Sequence, residues 1–279
     1  MNTIGVVGCG AMGLPMALAL RRAGHDTVGY DVRPVDEFGA FAPFMLNSLA
    51  EMAQRADTVI SVVRDSDQTM DVIRGLGLDR PAGPDARIGT LVISSTLSPR
   101  FVTSLRGIVR DGVRLVDAPM SGSTFRAKDG TLSFMLGGAD ADIDPLMPLF
   151  DAMGEELHRL GPYGAGMAAK VLNNFVAASS AAAVRTVLSQ ARGLGLAPER
   201  LLSVLQTSSG GTWFGDNLAA IEWAAEQFDS GNTFGILDKD VRAYLDAVSD
   251  GGAPDALTAA ILDRLRHVPE FPEELSKNQ

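Results

Sequence analysis

The feature that most constrains the fold of this chain is a glycine pattern close to its start. A short apolar run leads into Gly8, Gly10 and Gly13, spaced as Gly-x-Gly-x-x-Gly, and a helical pattern begins at once. In such a strand-to-helix turn, the first glycine permits the tight turn, the second lets a phosphate approach the backbone and the third allows close packing. The N–H groups and the dipole at the helix start suit a pyrophosphate. The pattern therefore predicts dinucleotide binding, with a purely structural glycine turn as the alternative.

A carboxylate stands where the second strand of such a unit would end. Asp31 closes the segment 27–31, eighteen residues after Gly13. An acid at this position accepts hydrogen bonds from the ribose 2′-hydroxyl of adenosine and repels a 2′-phosphate. Arg33 complicates the prediction because a guanidinium pairs with phosphate, although it can also stack on the adenine as a solvated loop residue. We predict NAD as the cofactor, with NADP possible.

Composition and charge exclude several other functions. The chain has 279 residues, enough for two domains, and a formal net charge of −10 with no basic run. A nucleic-acid partner and an anionic membrane surface are therefore not expected. The negative field would also repel an anionic substrate, so a site for such a substrate needs its own local cations.

Cysteine, histidine and apolar runs narrow the class further. The single cysteine, Cys9, excludes an intrachain disulfide, and the three histidines lie too far apart for ligand spacing, so no metal site is predicted. A strand begins within a few residues of the N-terminus, which leaves no room for a signal peptide. The sequence predicts that no uninterrupted apolar stretch reaches membrane-spanning length. We expect a cytoplasmic protein without membrane contact.

Residues 1–162 alternate strand and helix patterns. This alternation predicts an α/β domain of the Rossmann type, a doubly wound parallel sheet with helices on both faces. The predicted strands are 3–8, 27–31, 58–63, 90–94 and 114–117. The predicted helices between them are 12–23, 48–55, 66–73 and 99–110. A further strand at 131–138 is placed near the sheet edge, and a helix follows over 140–153.

Residues 163–279 have a different pattern, with no predicted strand. Apolar positions recur at helical spacing over 167–193 without a breaker, which predicts a long, largely buried helix that connects the two domains. Further helices are predicted at 198–207, 217–227, 237–249 and 254–267, and the polar tail 269–279 is expected to fray. The second domain is therefore all-α. The length of the apolar helix suggests that the domain buries additional surface against another copy.

A run of small residues follows the predicted strand 114–117. It starts at Asp117 and continues through Ser121, Gly122 and Ser123. Ligands of open α/β sheets bind outside the carboxyl ends of the strands. Small residues there expose backbone N–H groups and a hydroxyl, which suit a carboxylate, and a plain turn is the alternative.

Lys170 and Asn174 share one face of the long predicted helix because they lie four positions apart. That face is otherwise apolar, and lysine is rarely buried without a partner. Such an amine can exchange a proton with a carbonyl or hydroxyl oxygen, and an amide can hold the same oxygen. The alternative is a lysine whose amine reaches solvent, followed by an amide that faces the helix.

Three charged residues lie together on another predicted helix: Asp238, Lys239 and Asp240. Taken alone, this run is typical of a solvated charge cluster on a helix surface. The sharper alternative is a contact with a cofactor or an anionic substrate.

The order of these motifs resembles the β-hydroxyacid dehydrogenase family, which includes 3-hydroxyisobutyrate dehydrogenases and tartronate semialdehyde reductases. The resemblance spans almost the whole chain. It rests on the glycine pattern, on Asp117-Ala118-Pro119-Met120-Ser121-Gly122, on Gly164-x-Gly166-x-x-x-Lys170-x-x-Asn173-Asn174 and on Lys239-Asp240.

The resemblance implies a role for each motif. Lys170 would be the catalytic acid and base, and Asn174 would orient the substrate. Ser121, with the backbone at Gly122 and Ser123, would bind the substrate carboxylate. Lys239 would reach toward cofactor and substrate. The residues implied in cofactor binding are Gly8, Gly10, Ala11, Met12, Gly13, Asp31, Val63, Arg64, Thr96 and Lys239. A small carboxylate substrate and a homodimer or homotetramer are also implied.

Several departures from the family pattern bear on the substrate. Ser123 stands where glycine is usual, and Arg64-Asp65 stands where Leu-Pro is common. Arg126 would either bind a second anionic group or lie on the surface, and Trp213 with Phe214 would either line the substrate site or join the core. An imine reductase of the same fold and a non-catalytic NAD-binding protein remain as alternatives, and Lys170 argues against both.

Overall fold

The computed structural model describes residues 2–84, 86–249 and 251–276. The chain divides into two compact units, Met1–Lys170 and Val171–Gln279. The division falls inside one long helix, a few residues after the predicted boundary at 162/163. Each unit has its own organisation.

The first unit is built on a five-stranded parallel sheet with strand order β2-β1-β3-β4-β5. The strands are β1 (Ile4–Val7), β2 (Thr27–Tyr30), β3 (Thr58–Ser61), β4 (Thr90–Ile93) and β5 (Arg114–Asp117). In register, Ile4 lies opposite Thr27 on one side and Thr58 on the other. The chain leaves β1 first toward one side and then toward the other, so the carboxyl ends of β1 and β3 flank the crevice where ligands of such sheets bind. The predicted doubly wound sheet is confirmed.

Four helices connect these strands: α1 (Gly13–Arg22), α2 (Leu49–Arg55), α3 (Ser66–Gly75) and α4 (Pro99–Ser104). The helix predicted at 99–110 ends early and continues as a 3₁₀ turn, Leu105–Gly107. A 3₁₀ segment, Val35–Phe44, follows β2 and was not predicted. Buried side chains of α1 and of α2 to α4 belong to two separate hydrophobic clusters.

A strand forms within the segment predicted at 131–138, and Gly137 next to it pairs with Asp117 of the edge strand β5, but the strand belongs to a separate sheet. It is the central strand of a second, three-stranded sheet: β6 (Met120–Ser121), β7 (Leu132–Leu136) and β8 (Gly154–Arg159). After β5 the chain continues in the same direction through Pro119 into the short β6, which pairs antiparallel with β7. The backbone N–H of Met135 donates to the carbonyl of Pro119 between these pairs. A single bridge between Asp117 and Gly137 joins the segments of the two sheets.

Three further helices precede the long helix in the first unit. They are α5 (Ser123–Asp129), α6 (Asp140–Ile143) and α7 (Met147–Met153). The helix predicted at 140–153 is present as α6 and α7, separated by a 3₁₀ turn that contains Pro145. Both α5 and β8 were missed. Strand β8 is mostly exposed and polar, so it lacks the apolar alternation that identifies strands in a sequence.

The second unit is helical, and no strand occurs between residues 171 and 276 in its described part. Helix α8 (Ala165–Gln190) begins in the first unit and is followed by α9 (Pro198–Thr207), α10 (Trp213–Asp216), α11 (Thr233–Val248), α12 (Ala256–Arg266) and α13 (Glu273–Ser276). The tail is therefore not frayed throughout, because α13 forms and Leu275 is buried. The end of the predicted frayed segment, 277–279, lies outside the described residues.

The helix predicted at 217–227 is wrong, since this segment is a series of turns. The fully buried Arg185 of α8 contacts the end of this segment. Its guanidinium donates to the backbone carbonyls of Ala224, Glu226 and Pro269. A buried cation must be paired or hydrogen-bonded, and these carbonyls supply its partners.

The prediction that no apolar stretch reaches membrane-spanning length was wrong for helix α8 and the turn that follows it. Within the described residues, Ala165–Leu194 is long and apolar enough to cross a membrane by length and composition, although core helices of folded domains share this property. Less than half of its most apolar window, 44%, is buried.

Candidate active site

The glycine-rich loop has the geometry that its spacing predicts. Gly8 has a φ of 91°, and a Cβ there would lie 2.5 Å from the carbonyl oxygen of Val62. A Cβ on Gly13 would overlap the carbonyl oxygen of Gly8, whereas a Cβ on Gly10 would meet no atom within 4 Å. The turn, the close packing and the open approach that the sequence predicts are therefore all present.

The start of α1 suits an anion from outside the chain. Met12 is its N-cap residue and makes no side-chain capping hydrogen bond, and the first turn carries no acidic residue. By contrast, the side chains of Ser48 and Asp65 cap α2 and α3. The first N–H groups of a helix need partners from outside it. The space beside Gly10 is open, since a Cβ there would meet no atom within 4 Å. This open space fits the pyrophosphate of a dinucleotide.

Asp31 and Arg33 form an ion pair beside this loop. The Nε of Arg33 lies 3.1 Å from Oδ1 of Asp31, and an Nη of Arg33 donates to the carbonyl of Cys9 at 2.8 Å. The guanidinium also lies 4.9 Å from the ring centroid of Phe38. Arg33 is thus held by residues of its own unit, and its carboxylate partner lies directly after β2, where the sequence predicts the ribose acceptor.

The ends of β3 and β4 meet at the same edge of the sheet. The backbone N–H of Val63 donates to Oγ of the buried Ser95 at 2.9 Å, which places Thr96 in the adjoining segment. Arg64 follows Val63, and Asp65 caps α3 by accepting from the N–H of Gln68. This cap gives a local reason for Arg64-Asp65, because aspartate is among the best N-cap residues.

The small-residue run after β5 forms a strained turn. Ser121 ends β6, Gly122 has a φ of 137°, and Ser123 at 62° is the only non-glycine residue with positive φ in the described part of the chain. Such strain is often retained at functional sites. Arg126 forms an ion pair with Glu155 at 3.6 Å, and its Nε donates to the hydroxyl of Thr131 at 3.4 Å. Both partners belong to the first unit.

Asp117 has a role that the sequence did not reveal. Its buried carboxylate accepts from the N–H groups of Gly164 and Met167, both at 2.6 Å, and thereby caps the start of α8. Burial raises the pKa of Asp117 to about 6, partly offset by those two hydrogen bonds and by the charge of Arg106. Burial, followed by the charge of Asp117, also raises the pKa of Tyr163. The sequence signal was an aspartate at a strand end together with the Gly-x-Gly of the later motif.

Lys170 and Asn174 both lie on α8 and are buried, with exposed fractions of 6% and 7%. Their predicted placement on one helix is confirmed. The amide nitrogen of Asn174 donates to Oδ2 of Asp240 at 2.6 Å, and its oxygen accepts from Asn173 at 3.1 Å. Asp240 belongs to α11, and the sequence did not predict this contact.

The charged run on α11 is not a solvated cluster, and that interpretation was wrong. Asp238 and Asp240 are buried. Asp238 accepts from Arg242 at 2.7 Å and from Arg266 of α12 at 2.8 Å, while Nζ of Lys239 lies 2.9 Å from Oδ1 of Asp240. The contact of Lys239 with a cofactor stays a prediction.

The two aromatic residues Trp213 and Phe214 differ in their exposure. Phe214 is buried and stacks on Trp223 with ring centroids 5.4 Å apart, so it belongs to the core. Trp213 is 45% exposed. No group of three or more possible metal ligands occurs among the described residues.

Comparisons with known proteins match both parts of the chain. Residues 3–161 match a family model described as the NAD binding domain of 6-phosphogluconate dehydrogenase. Residues 164–270 match one described as the NAD-binding part of NADP-dependent 3-hydroxyisobutyrate dehydrogenase. Together these models cover most of the chain and show that it binds NAD(P).

Relatives of similar length support the same assignment. An NAD-dependent L-serine dehydrogenase of Pseudomonas aeruginosa is 36% identical over 219 residues, 76% of this chain and 72% of the relative. A probable 3-hydroxyisobutyrate dehydrogenase of Mycobacterium tuberculosis is 32% identical over 273 residues, 94% and 91% of the two chains. The solved structure of the Mycobacterium tuberculosis 3-hydroxyisobutyrate dehydrogenase with L-serine has a TM-score of 0.75 at 29% identity and covers 94% of this chain and 92% of its own.

Proposed function

Because the chain belongs to the β-hydroxyacid dehydrogenase family of NAD-dependent oxidoreductases, we propose that it interconverts a small 3-hydroxy acid and its semialdehyde. The observation that carries this proposal is the buried Lys170, one helical turn before the buried Asn174. Lysine is almost never buried unless its amine has an interaction partner. This amine lies on the helix whose start is capped by Asp117.

Lys170 is the acid and base of the proposed reaction. The bound nicotinamide supplies the hydride acceptor or donor. In oxidation, the Lys170 amine takes the proton of the substrate hydroxyl as the carbonyl forms, and in reduction its ammonium returns that proton to the oxygen. Asn174 donates from its amide to the same oxygen and keeps it in line with the amine.

The substrate carboxylate binds at the run after β5 in this proposal. Ser121 offers a hydroxyl, and the backbone N–H groups of Gly122 and Ser123 offer further donors. These donors bind the anion by short-range hydrogen bonds, against the overall field of a chain with a net charge of −10. A semialdehyde or hydroxy acid with one carboxylate satisfies this arrangement.

NAD is the proposed cofactor. Asp31 accepts from the ribose hydroxyls and repels a 2′-phosphate. The remaining proposed contacts are the glycine loop from Gly8 to Gly13, including Ala11 and Met12, together with Val63, Arg64, Thr96 and Lys239. The open N-terminus of α1 supports the position of the pyrophosphate.

L-Serine and 3-hydroxyisobutyrate are the first substrates to examine. Both are 3-hydroxy acids with one carboxylate, and they are the compounds named for relatives that share about a third of their residues with this chain. An imine reductase or a non-catalytic NAD-binding protein would have no need of the buried Lys170.

The protein is also proposed to form a homodimer or homotetramer. Leu172 and Val176 of α8 are 54% and 63% exposed and lie on one side of the helix, four positions apart. Exposed apolar side chains of this size on one side of a long helix suit a second copy of the chain. Light scattering of the purified protein measures the assembly.

The Lys170→Ala variant tests the proposed function. We expect kcat for the oxidation of 3-hydroxy acids to fall by about 10³-fold, within the range for loss of a general acid–base group. The dissociation constant for NADH should stay within about threefold, because Lys170 supplies no proposed cofactor contact.

Lys128→Ala is the matched control, because Lys128 is exposed on α5. It should retain the kcat of the wild type. Turnover of Lys170→Ala at the wild-type rate would show that the lysine mechanism is wrong.

A further inference from the structure

Asp117 is buried next to the proposed active site, yet no step of the proposed reaction uses it. It is the last residue of β5, and the run that leads to Ser121 and Gly122 starts with it. Its side chain is turned away from that run toward the start of α8. The residue therefore belongs to two parts of the site at once.

The carboxylate holds α8 through both of its oxygens. Oδ1 accepts from the N–H of Gly164 and Oδ2 from the N–H of Met167, each at 2.6 Å. Charge-assisted bonds of this kind are the short and strong ones. Met167 lies three residues before Lys170, so the clamp acts on the turn of helix that leads to the proposed catalytic amine.

Two glycines lie against the carboxylate. A Cβ on Gly137 would overlap Oδ1 of Asp117, and a Cβ on Gly166 would lie 3.0 Å from Oδ2. Residue 137 must therefore be glycine for the carboxylate to reach α8. At residue 166 a Cβ would first overlap the carbonyl oxygen of Met135, and the carboxylate adds a second close contact.

A second contact holds the same turn. The N–H of Leu97 lies 3.3 Å from the sulfur of Met167. Leu97 follows Thr96, one of the proposed cofactor contacts. The first turn of α8 is thus tied to the end of β5 by a carboxylate and to the segment after β4 by a thioether.

We propose that Asp117 is a positioning residue, whose carboxylate fixes the first turn of α8 and so sets the place of the Lys170 amine relative to Ser121 and Gly122. This inference rests on the proposed function. A displaced amine would still be present and basic but would no longer be in line with the substrate hydroxyl, and small misplacements of this kind are costly in rate.

The charge of Asp117 matters as well as its shape. Two N–H donors need two acceptor oxygens, which an ionised carboxylate provides and an amide does not. The charged and titratable groups around it are Arg106, which lowers the pKa of Asp117, and Tyr163, whose ring lies 4.8 Å from the Arg106 guanidinium. Asparagine is therefore an informative substitution, because it keeps the size and removes one acceptor.

The experiment compares Asp117→Asn with Asp255→Asn. Asp255 caps α12 by accepting from the N–H of Thr258 at 2.8 Å, so the control makes the same chemical change at a helix start that carries no proposed site residue. For Asp117→Asn we expect kcat to fall by 10- to 100-fold, while KM for the hydroxy acid and the dissociation constant for NADH change less than threefold. Asp255→Asn should leave all three unchanged.

Two measurements do not depend on turnover. Amide hydrogen exchange over residues 164–170 should become at least tenfold faster in Asp117→Asn and stay unchanged in Asp255→Asn. Modification of Lys170 by acetic anhydride, followed by mass spectrometry with Lys128 as internal reference, should also become several-fold faster in Asp117→Asn.

The outcomes separate this inference from the proposed function. A wild-type protein that oxidises none of the acids contradicts the proposed function, and exchange and acetylation still decide whether Asp117 places Lys170. An unchanged kcat in Asp117→Asn, or unchanged acetylation, overturns the inference. If Asp117→Asn does not fold, Asp117→Ser keeps a neutral capping oxygen in a smaller side chain, and the same expectations and contradictions apply to it.

Discussion

Two helices of the first unit begin in opposite ways. At α1 the N-cap residue Met12 has no side-chain capping bond, and the neighbouring Gly10 leaves open space. At α8 the start is closed by the buried carboxylate of Asp117. Both ends present N–H donors and a positive helix dipole, which favour an anion. One helix leaves that place to a ligand, and the other fills it with its own residue.

The difference shows that the start of a helix can either bind a ligand or hold the helix in place. In the proposed function, the open start of α1 gains its anion only when the cofactor binds, so its occupation depends on cofactor concentration. The closed start of α8 is capped by a carboxyl group of the chain itself, so this start is held before any ligand arrives. Preorganisation of this kind is what a residue that transfers protons requires.

The largest expected effect comes from closing the open start of α1. In Gly10→Asp the new Cβ has room, and its carboxylate would occupy and repel the pyrophosphate position. We expect the dissociation constant for NADH to rise at least 100-fold, about 2.7 kcal/mol, with little change in the midpoint of thermal unfolding. Gly10→Ala should have a smaller effect. Normal NADH binding by Gly10→Asp, measured by fluorescence titration, would contradict the assignment of the open start.

The second prediction concerns the closed start of α8 and how its contribution to the free energy of unfolding depends on pH. Burial raises the pKa of Asp117 to about 6, above the ordinary aspartate value of 3.8. The folded state therefore takes up this proton first, and the contribution of Asp117 to the free energy of unfolding is highest below pH 4 and is lost as the pH rises through 6. At 1.36 kcal/mol per pKa unit, the change is at most about 3 kcal/mol.

Urea unfolding between pH 4 and pH 7 measures this dependence. The stability of Asp117→Asn relative to the wild type should increase as the pH rises through that range. The exposed cap Asp255 has the opposite sign, because the N–H of Thr258 lowers the pKa of its carboxyl, so its contribution is lost as the pH falls. A difference between Asp117→Asn and the wild type that does not vary with pH would contradict the raised pKa.

The smallest expected effect concerns the ribose end of the open region. In Asp31→Ser the acceptor for the ribose hydroxyls is lost, and Arg33 is released from its pair with Asp31 and can meet a 2′-phosphate. We expect the ratio of NADPH to NADH affinity to rise about tenfold, or 1.4 kcal/mol. Adding Arg33→Ala should remove that gain. A wild-type protein that prefers NADPH would already contradict the role proposed for Asp31.

The parts of the fold that the sequence predicted are those with local signals. The apolar runs before Gly8 and Asp31 identify buried parallel strands without reference to distant residues, and the five-stranded sheet follows from their alternation with helices. The spacing of Lys170 and Asn174 sufficed to place both on one face of α8. These features follow from the regular spacing of residues along a single strand or helix.

The parts that were missed depend on contacts between distant positions. The carboxylate of Asp117 meets N–H groups nearly fifty residues later, and Asp240 meets Asn174 from another helix. Strand β8 exists because β7 offers it a pairing edge, although its own polar sequence has no strand pattern. No local pattern contains such information.

The three carbonyls that surround Arg185 place an unusual constraint on sequence change. A backbone oxygen is the same in every residue type, so the guanidinium does not distinguish which side chains stand at 224 and 269. The hydrogen bonds themselves therefore do not restrict the residue type at those two positions, although the full burial of Ala224 restricts it to a small side chain. Arg185 itself has no substitute, since lysine lacks the planar fork that reaches several acceptors at once. The loop conformation is inherited through a single side chain, and homologous chains can share it while differing at nearly every residue that it contacts.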